Sequence, residues 1–255
     1  MGSMRNRGAI AAIAFILPAA AGAQDVTQIL PPIDVWASRT GTGITGASNS
    51  VITAEEIARS PGTTIQDVLS REAGIQTWST TGGNNGATTV VDLRGFGATA
   101  SSNTLFLLNG RRLNDVDLLG VDLSAIPKDS IERIEITRGN SGAVLYGAGA
   151  VGGVINIITK TGTGLPPTAR IEAGAGSFNQ RELNGSAAVS HGPFSASVFA
   201  NGVDSNGYRV NSALRQRNAI VDIRYNGTEG AAWANIVADD QHLGLPGPRL
   251  VDQAA

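Results

Sequence analysis

The residues of this chain that could do chemistry are few, and their spacing argues against most of it. Gly147-Ala148-Gly149-Ala150-Val151-Gly152 matches G-x-G-x-x-G in form. A dinucleotide site needs that pattern after a strand and at the start of a helix, so that the helix N-terminus meets the pyrophosphate. Here Ile155–Thr159, a β-branched, strand-like run, follows almost at once. The glycines read instead as close backbone packing and a bulged entry into a strand. His191 and His242 stand far apart and make no metal-ligand pattern. Ser141 lies in Asn140-Ser141-Gly142-Ala143, which is not G-x-S-x-G, and no general base pairs with it. Asp115, Asp117 and Asp122 have the spacing of a solvated loop, with calcium binding as the sharper alternative. Cysteine is absent, which excludes thiolate metal sites, catalytic thiols and disulfides. These observations predict neither an enzyme nor a resident cofactor or metal.

Charge is informative where it is patterned. The net charge is −2 with no basic block, so nucleic-acid binding has no electrostatic footprint. Glu132 and Arg133 alternate with Ile131 and Ile134, and Glu135 and Arg138 continue the run. One face of that strand is therefore charged. Arg94 sits in a second strand-like segment, Val90–Gly97.

The elements that would position these groups can be read in order. Arg5 and Arg7, the apolar run Ala9–Ala20 and Ala21-Gly22-Ala23 form a secretory leader, with the mature chain expected to begin at Gln24. The apolar run is shorter than the ~20 residues of a spanning helix. Thr53–Glu56 and Thr64–Asp67 have capping-box spacing. Ile65, Val68 and Leu69 give the second helix one apolar face, and Gly74 suits its C-terminal cap. Asn109-Gly110 between Leu105–Leu108 and Arg111–Leu113 is a strong hairpin signal. Leu165-Pro166-Pro167 marks a boundary. Beyond Thr168 five segments alternate apolar and polar residues: Ala169–Ser177, Arg181–Ser190, Phe194–Asn201, Gln216–Tyr225 and Ala231–Asp239. Such segments suit a transmembrane barrel, and a soluble β-sandwich would show the same alternation.

Ile126–Lys160 (IPKDSIERIEITRGNSGAVLYGAGAVGGVINIITK) is a charged strand, a Gly-rich corner, a small-residue turn and a hydrophobic strand. It resembles the C-terminal half of the plug domain of TonB-dependent outer-membrane receptors. Val51–Ile52, Thr53–Arg59 and Thr63–Ile75 resemble the opening strand and helices of that plug, Val90–Gly97 its strand ending in an Arg-Gly pair, and Thr104–Leu113 its hairpin. The resemblance is dense from Pro31 to Lys160.

It implies a fold: an α+β plug domain, a small mixed sheet with short helices, followed by the first antiparallel strands of a truncated transmembrane β-barrel. The expected divisions are a signal peptide at 1–23, a TonB-box segment and linker at 24–50, a plug at 51–165, and strands of an incomplete barrel at 166–255. Ile33, Asp34, Val35, Trp36, Ala37 and Ser38 fall where the family carries its TonB box, with Trp36 departing from V-x-V-T-A. The apical loops imply ligand contacts from Trp78, Thr81, Asn84, Asn85, Phe96, Ala98, Ser101 and Ser102. Arg94, Glu132, Arg133, Glu135 and Arg138 are expected as polar contacts between plug and barrel. The implied partners are TonB with its energising complex, a metal chelate or other small nutrient, and outer-membrane lipid.

A family barrel has about 22 strands, and the smallest membrane barrel about 8. The five expected here predict the N-terminal part of a longer receptor that takes up a ferric siderophore, cobalamin or another nutrient. A secreted or periplasmic all-β ligand-binding module independent of TonB is the alternative.

Overall fold

The computed structural model describes residues 48–79, 86–87, 89–114, 120–147, 149–164 and 166–245. The leader, the segment Ile33–Ser38 and Asp115 and Asp117 lie outside the described residues.

The first half is a mixed sheet with helices. β1 (Ser48–Thr53) leads into α1 (Ala54–Arg59) and α2 (Ile65–Ser70). A ribbon of β2 (Gln76–Ser79) and β3 (Thr89–Asp92) follows, then α3 (Ala100–Asn103), β4 (Thr104–Leu108) and β5 (Arg111–Arg112). β6 (Ile131–Arg138), α4 (Ser141–Tyr146) and β7 (Gly153–Thr159) complete it. The spatial order is β1-β6-β7-β4-β5, antiparallel except for β4 beside β7.

Local chemistry explains the starts and stops. Thr53 accepts from Glu56 N–H while the Glu56 carboxylate accepts from Thr53 N–H at 2.8 Å, and Thr64 and Asp67 repeat the exchange. Each box satisfies two donors that a helix start leaves orphaned. The second helix ends at Arg71, earlier than Gly74 suggested. Gly74 instead takes φ +76° in the turn that delivers Ile75 to the core. Asn109 and Gly110 both have positive φ, as the tight hairpin requires. The expected turn after β6 contains α4, a short helix bounded by Gly139 and Gly147, both at positive φ. Ala143 and Leu145 are good helix formers, a local preference that the surrounding glycines concealed.

The core lies under the central strands. Phe106, Leu123, Ile134, Ile136, Ile155 and Ile157 are fully buried, with Ile57, Ile65 and Leu69 supplied by the helices. Each such side chain stabilises the fold by roughly 1.5–3 kcal/mol relative to exposure.

The second half is an antiparallel meander of five strands: β8 (Thr168–Gly176), β9 (Gln180–His191), β10 (Phe194–Ser205), β11 (Leu214–Asn226) and β12 (Ala231–Leu243). β9 to β12 run longer than the alternation alone marked out, while β8 keeps the expected length one residue earlier. Ser195, Ser197, Gln216, Asn218, Ile220 and Asp222 are buried on the face toward the first half. The other face carries Ile171, Leu183, Phe194, Ile223 and Ile236, all exposed. The linker is packed tightly: a Cβ on Gly162 would lie 2.5 Å from the Ala196 carbonyl oxygen and 2.8 Å from that of Val189. Among the described residues no helix is long and apolar enough to cross a membrane, which says nothing about strands.

Candidate functional site

Two features stand where a ligand or a sliding surface would need them. The first is the loop after β3. Asp92, 2% exposed, accepts hydrogen bonds from the backbone N–H groups of Arg94 (3.0 Å), Gly95 (2.7 Å) and Gly97 (2.8 Å). Burial by itself pushes the Asp92 carboxyl up, but the N–H groups of Gly97, Arg94, Phe96 and Gly95 outweigh it and hold the group below its ordinary range. The carboxylate thereby shapes the turn that presents Arg94, Phe96 and Ala98. Arg94 lies over Gly139, whose Cβ would fall 2.3 Å from Nη2. Phe96 packs on Gly152, with Cε2 only 3.1 Å from a Cβ there.

Asp92→Asn keeps the shape and removes the charge. It is expected to destabilise the chain by about 1–3 kcal/mol at neutral pH. A carboxyl held low in the fold contributes fully above its unfolded pKa of about 3.9. That contribution disappears as pH falls through the lower folded value. Urea titrations should therefore show the gap between parent and Asp92→Asn closing at acid pH. A gap independent of pH would remove Asp92 as the anchor of this turn.

The second feature is the seam between the two halves. Gln216 Nε2 donates to the Ser124 carbonyl at 2.9 Å and Asn218 Nδ2 donates to the same oxygen. Gln241 Nε2 donates to Asp122 Oδ2 at 2.7 Å. Ile220, 1% exposed, joins the core of the first half. Beside this seam is a cavity of about 410 Å³ whose lining includes Lys128, Glu182, Asn184 and Asn201. Lys128 Nζ donates to the carbonyls of Ser60 (2.8 Å) and Gly62 (2.6 Å). Burial lowers its pKa, against the opposing pull of Asp129, Asp67 and Glu182.

The expected site residues divide. Phe96, Ala98, Ser101 and Ser102 fall in one stretch of turn and short helix. The Ser102 hydroxyl is engaged with the Thr99 carbonyl, and the Ser101 carbonyl accepts from Asn114. Trp78, half-buried, pairs with Val90 on the neighbouring strand of the same ribbon. Thr81, Asn84 and Asn85 lie outside the described residues. Arg133 bridges Glu132 (2.8 Å) and Glu135 (2.9 Å), and Arg138 binds Glu72 (3.0 Å) and the Ser50 hydroxyl. These charges are thus paired within the first half. Asp122, Ser124, Lys160 and Thr163 do reach the described strands, by hydrogen bonds to Gln241, Gln216, Asn218, Ser197 and Ser195. Asp122, which the spacing placed in a solvated loop, holds Gln241 and Ser124. Sequence reasoning missed Gln216 and Asn218, although their inward alternation with Ile220 was visible. Among the described residues no three His, Asp or Glu side chains are gathered as a metal would need.

Comparison with known proteins agrees with this architecture. Residues 44–154 match the model of the TonB-dependent Receptor Plug Domain. The vitamin B12 transporter BtuB of Photobacterium profundum is 43% identical over 139 residues, 54% of this chain and 22% of its own length. The ferrienterobactin receptor of Escherichia coli K12 is 34% identical over 164 residues, 56% of this chain and 21% of its own. The siderophore receptor PiuA from Acinetobacter baumannii superposes with a TM-score of 0.62 at 22% identity, over 76% of this chain and 26% of that one. The chain carries, over residues 44–154, the plug domain of TonB-dependent receptors. It spans about a fifth of the length of the relatives it matches, and its mixed-sheet half is the plug. The family is one of transport receptors rather than enzymes.

Proposed function

We propose that this chain provides the plug and adjoining wall strands of an outer-membrane receptor that takes up a metal chelate, driven by TonB. One observation carries the reading. The plug seats on the polar inner face of a meander whose outer face is apolar, as a lumen lined with polar groups inside a lipid-facing wall demands. An exposed apolar face of this extent is a poor surface for a free all-β module, which argues against the TonB-independent alternative. The relatives named for vitamin B12 and ferrienterobactin both point to a bulky metal chelate as cargo. A ferric siderophore is the first expectation, with cobalamin or another nutrient as variants.

In this reading residues 1–23 direct export and Ile33–Ser38 engages TonB. Trp78, Thr81, Asn84, Asn85, Phe96, Ala98, Ser101 and Ser102 meet the chelate. Arg94, together with Glu132, Arg133, Glu135 and Arg138, which are paired within the plug, faces further wall.

The test is uptake by cells making a receptor that carries this chain, with and without TonB. Labelled ferric catecholate and labelled cyanocobalamin are offered separately. Accumulation of one of them only when TonB is present is the expected result. Equal accumulation without TonB would overturn the reading, and accumulation of neither compound would overturn a ferric siderophore or cobalamin as the cargo.

A further inference from the structure

The cavity beside the seam is lined from both halves, and its chemistry is one-sided. Its volume of about 410 Å³ suits a small organic ligand. Glu172, Asn184, Asn201 and Asn218 are register partners in one inward row across β8 to β11. Glu182 stands two residues from Asn184 on the same face of β9. The plug closes the other side with Ser60 and Lys128.

The nitrogens of these groups already have acceptors. Asn184 Nδ2 and Asn201 Nδ2 both donate to Glu182 Oε1, at 3.0 and 3.2 Å. Asn218 Nδ2 donates to the Ser124 carbonyl, and Lys128 Nζ to the carbonyls of Ser60 and Gly62. Acceptors are left over. Asn218 is 7% exposed, and its Oδ1 is buried without a partner, as is Ser60 Oγ. Buried polar atoms normally have one, so what this cavity lacks is a donor.

The charges lead to the same ligand chemistry. Arg170 pairs with Glu172, and Asp129 lies beside Lys128 and opposes its charge. Among the described residues Glu182 has no cation within ion-pair distance. Lys128 does not serve it, being held on its two carbonyls. Phe178 and Tyr208 stand exposed in the same lining, ring centroids 6.3 Å apart, and aromatic faces attract cations. From Glu182 on β9 to Asn218 on β11 is two strand spacings, about 10 Å. With a hydrogen bond of about 3 Å at each end, a chain of a few carbons fills the remainder.

We infer that this cavity binds a short organic diamine, one ammonium on Glu182 and the other on Asn218 Oδ1 and Ser60 Oγ. Such a ligand touches plug and wall at once and ties them together. A neutral sugar would satisfy the orphaned acceptors and leave the carboxylate unpaired, and a bare metal ion is too small to reach both ends. The site requires neither TonB nor uptake of any nutrient.

The test uses the detergent-purified receptor that carries this chain, with putrescine as the probe in equilibrium dialysis. The parent should bind putrescine saturably. Glu182→Gln, which keeps an acceptor for both amides, should bind it at least about tenfold more weakly. 1-Aminobutane, with a single ammonium, should bind the parent more weakly than putrescine does. Amide hydrogen exchange of residues 60–65 should slow when putrescine is bound, and this measurement on the parent decides the matter if Glu182→Gln fails to assemble. No binding by the parent, equal affinity in parent and variant, or unchanged exchange at 60–65 would overturn the site. Equal binding of 1-aminobutane would overturn the diamine, and displacement by sodium or glucose at matched concentration would overturn an organic ammonium as the ligand.

Discussion

Replacing Gly153 with alanine is expected to cost about 3–5 kcal/mol, enough to unfold a domain of ordinary stability. Gly153 opens β7 at φ +147°, a backbone region that side chains rarely enter. It sits between Thr104 of β4 and Arg138 of β6. A Cβ there would lie 2.4 Å from the Thr137 carbonyl oxygen, 2.6 Å from Leu93 Cδ1 and 3.2 Å from the Arg138 Cα. Two of those neighbours are backbone of the adjacent strand β6 and cannot swing aside. The backbone conformation alone costs about 1–3 kcal/mol, and the displaced ladder adds the rest. Gly185→Ala is the control. Its Cβ would stand in open space on the outward face, and a change within about 0.5 kcal/mol is expected. Urea denaturation of the two variants should separate them widely. Equal midpoints would mean that β6 and β7 are not packed this closely.

Val35→Pro is expected to abolish TonB-driven uptake while leaving chelate binding unchanged. Ile33, Val35 and Ala37 alternate with Asp34, Trp36 and Ser38, as an added strand requires. In strand addition the backbone ladder supplies affinity and alternate side chains supply specificity. Proline removes one ladder donor and fixes φ, so the partner loses its grip at the middle of the segment. The segment precedes the plug domain of residues 44–154 in the sequence, and binding from the cell exterior should not sense it. Cells carrying the variant receptor should hold labelled chelate at their surface and accumulate none. Normal accumulation would place the TonB contact elsewhere; lost surface binding would show damage beyond the box.

Much of the plug was legible because its signals are local. The two capping boxes, the Asn109-Gly110 turn and the alternating Ile131–Thr137 strand each depend on residues within a few positions of one another. The family resemblance added the order in which they assemble. Long-range terms were less readable. That Asp92 turns its carboxylate into its own loop depends on burial by distant strands, since an exposed Asp at the same place would face water. The seam was hidden for the same reason. Gln216 and Asn218 look like ordinary lumen-facing polar residues until the 121–126 loop brings the Ser124 carbonyl to both. The charged face of β6 was expected to meet a wall. Its arginines instead find counter-charges within the plug, Arg133 in Glu132 and Glu135 of the same strand and Arg138 in Glu72 beyond the second helix, a pairing that alternation marks as charged without saying who partners whom.

The pairing of β1 with β6 has a consequence for time rather than for strength. Ser50 and Arg138 are hydrogen-bonded across 88 positions, and Asn109 and Thr159 across 50. Contacts that close such long loops must wait for the chain to supply both ends, and folds dominated by them form slowly. Until Thr159 has emerged, β4 lacks its parallel neighbour and β1 has only a nascent edge to join. In the export to an outer membrane proposed above, that delay would be a gain. The plug sheet cannot close prematurely around an incomplete set of strands, so the polypeptide stays threadable for the length of its passage.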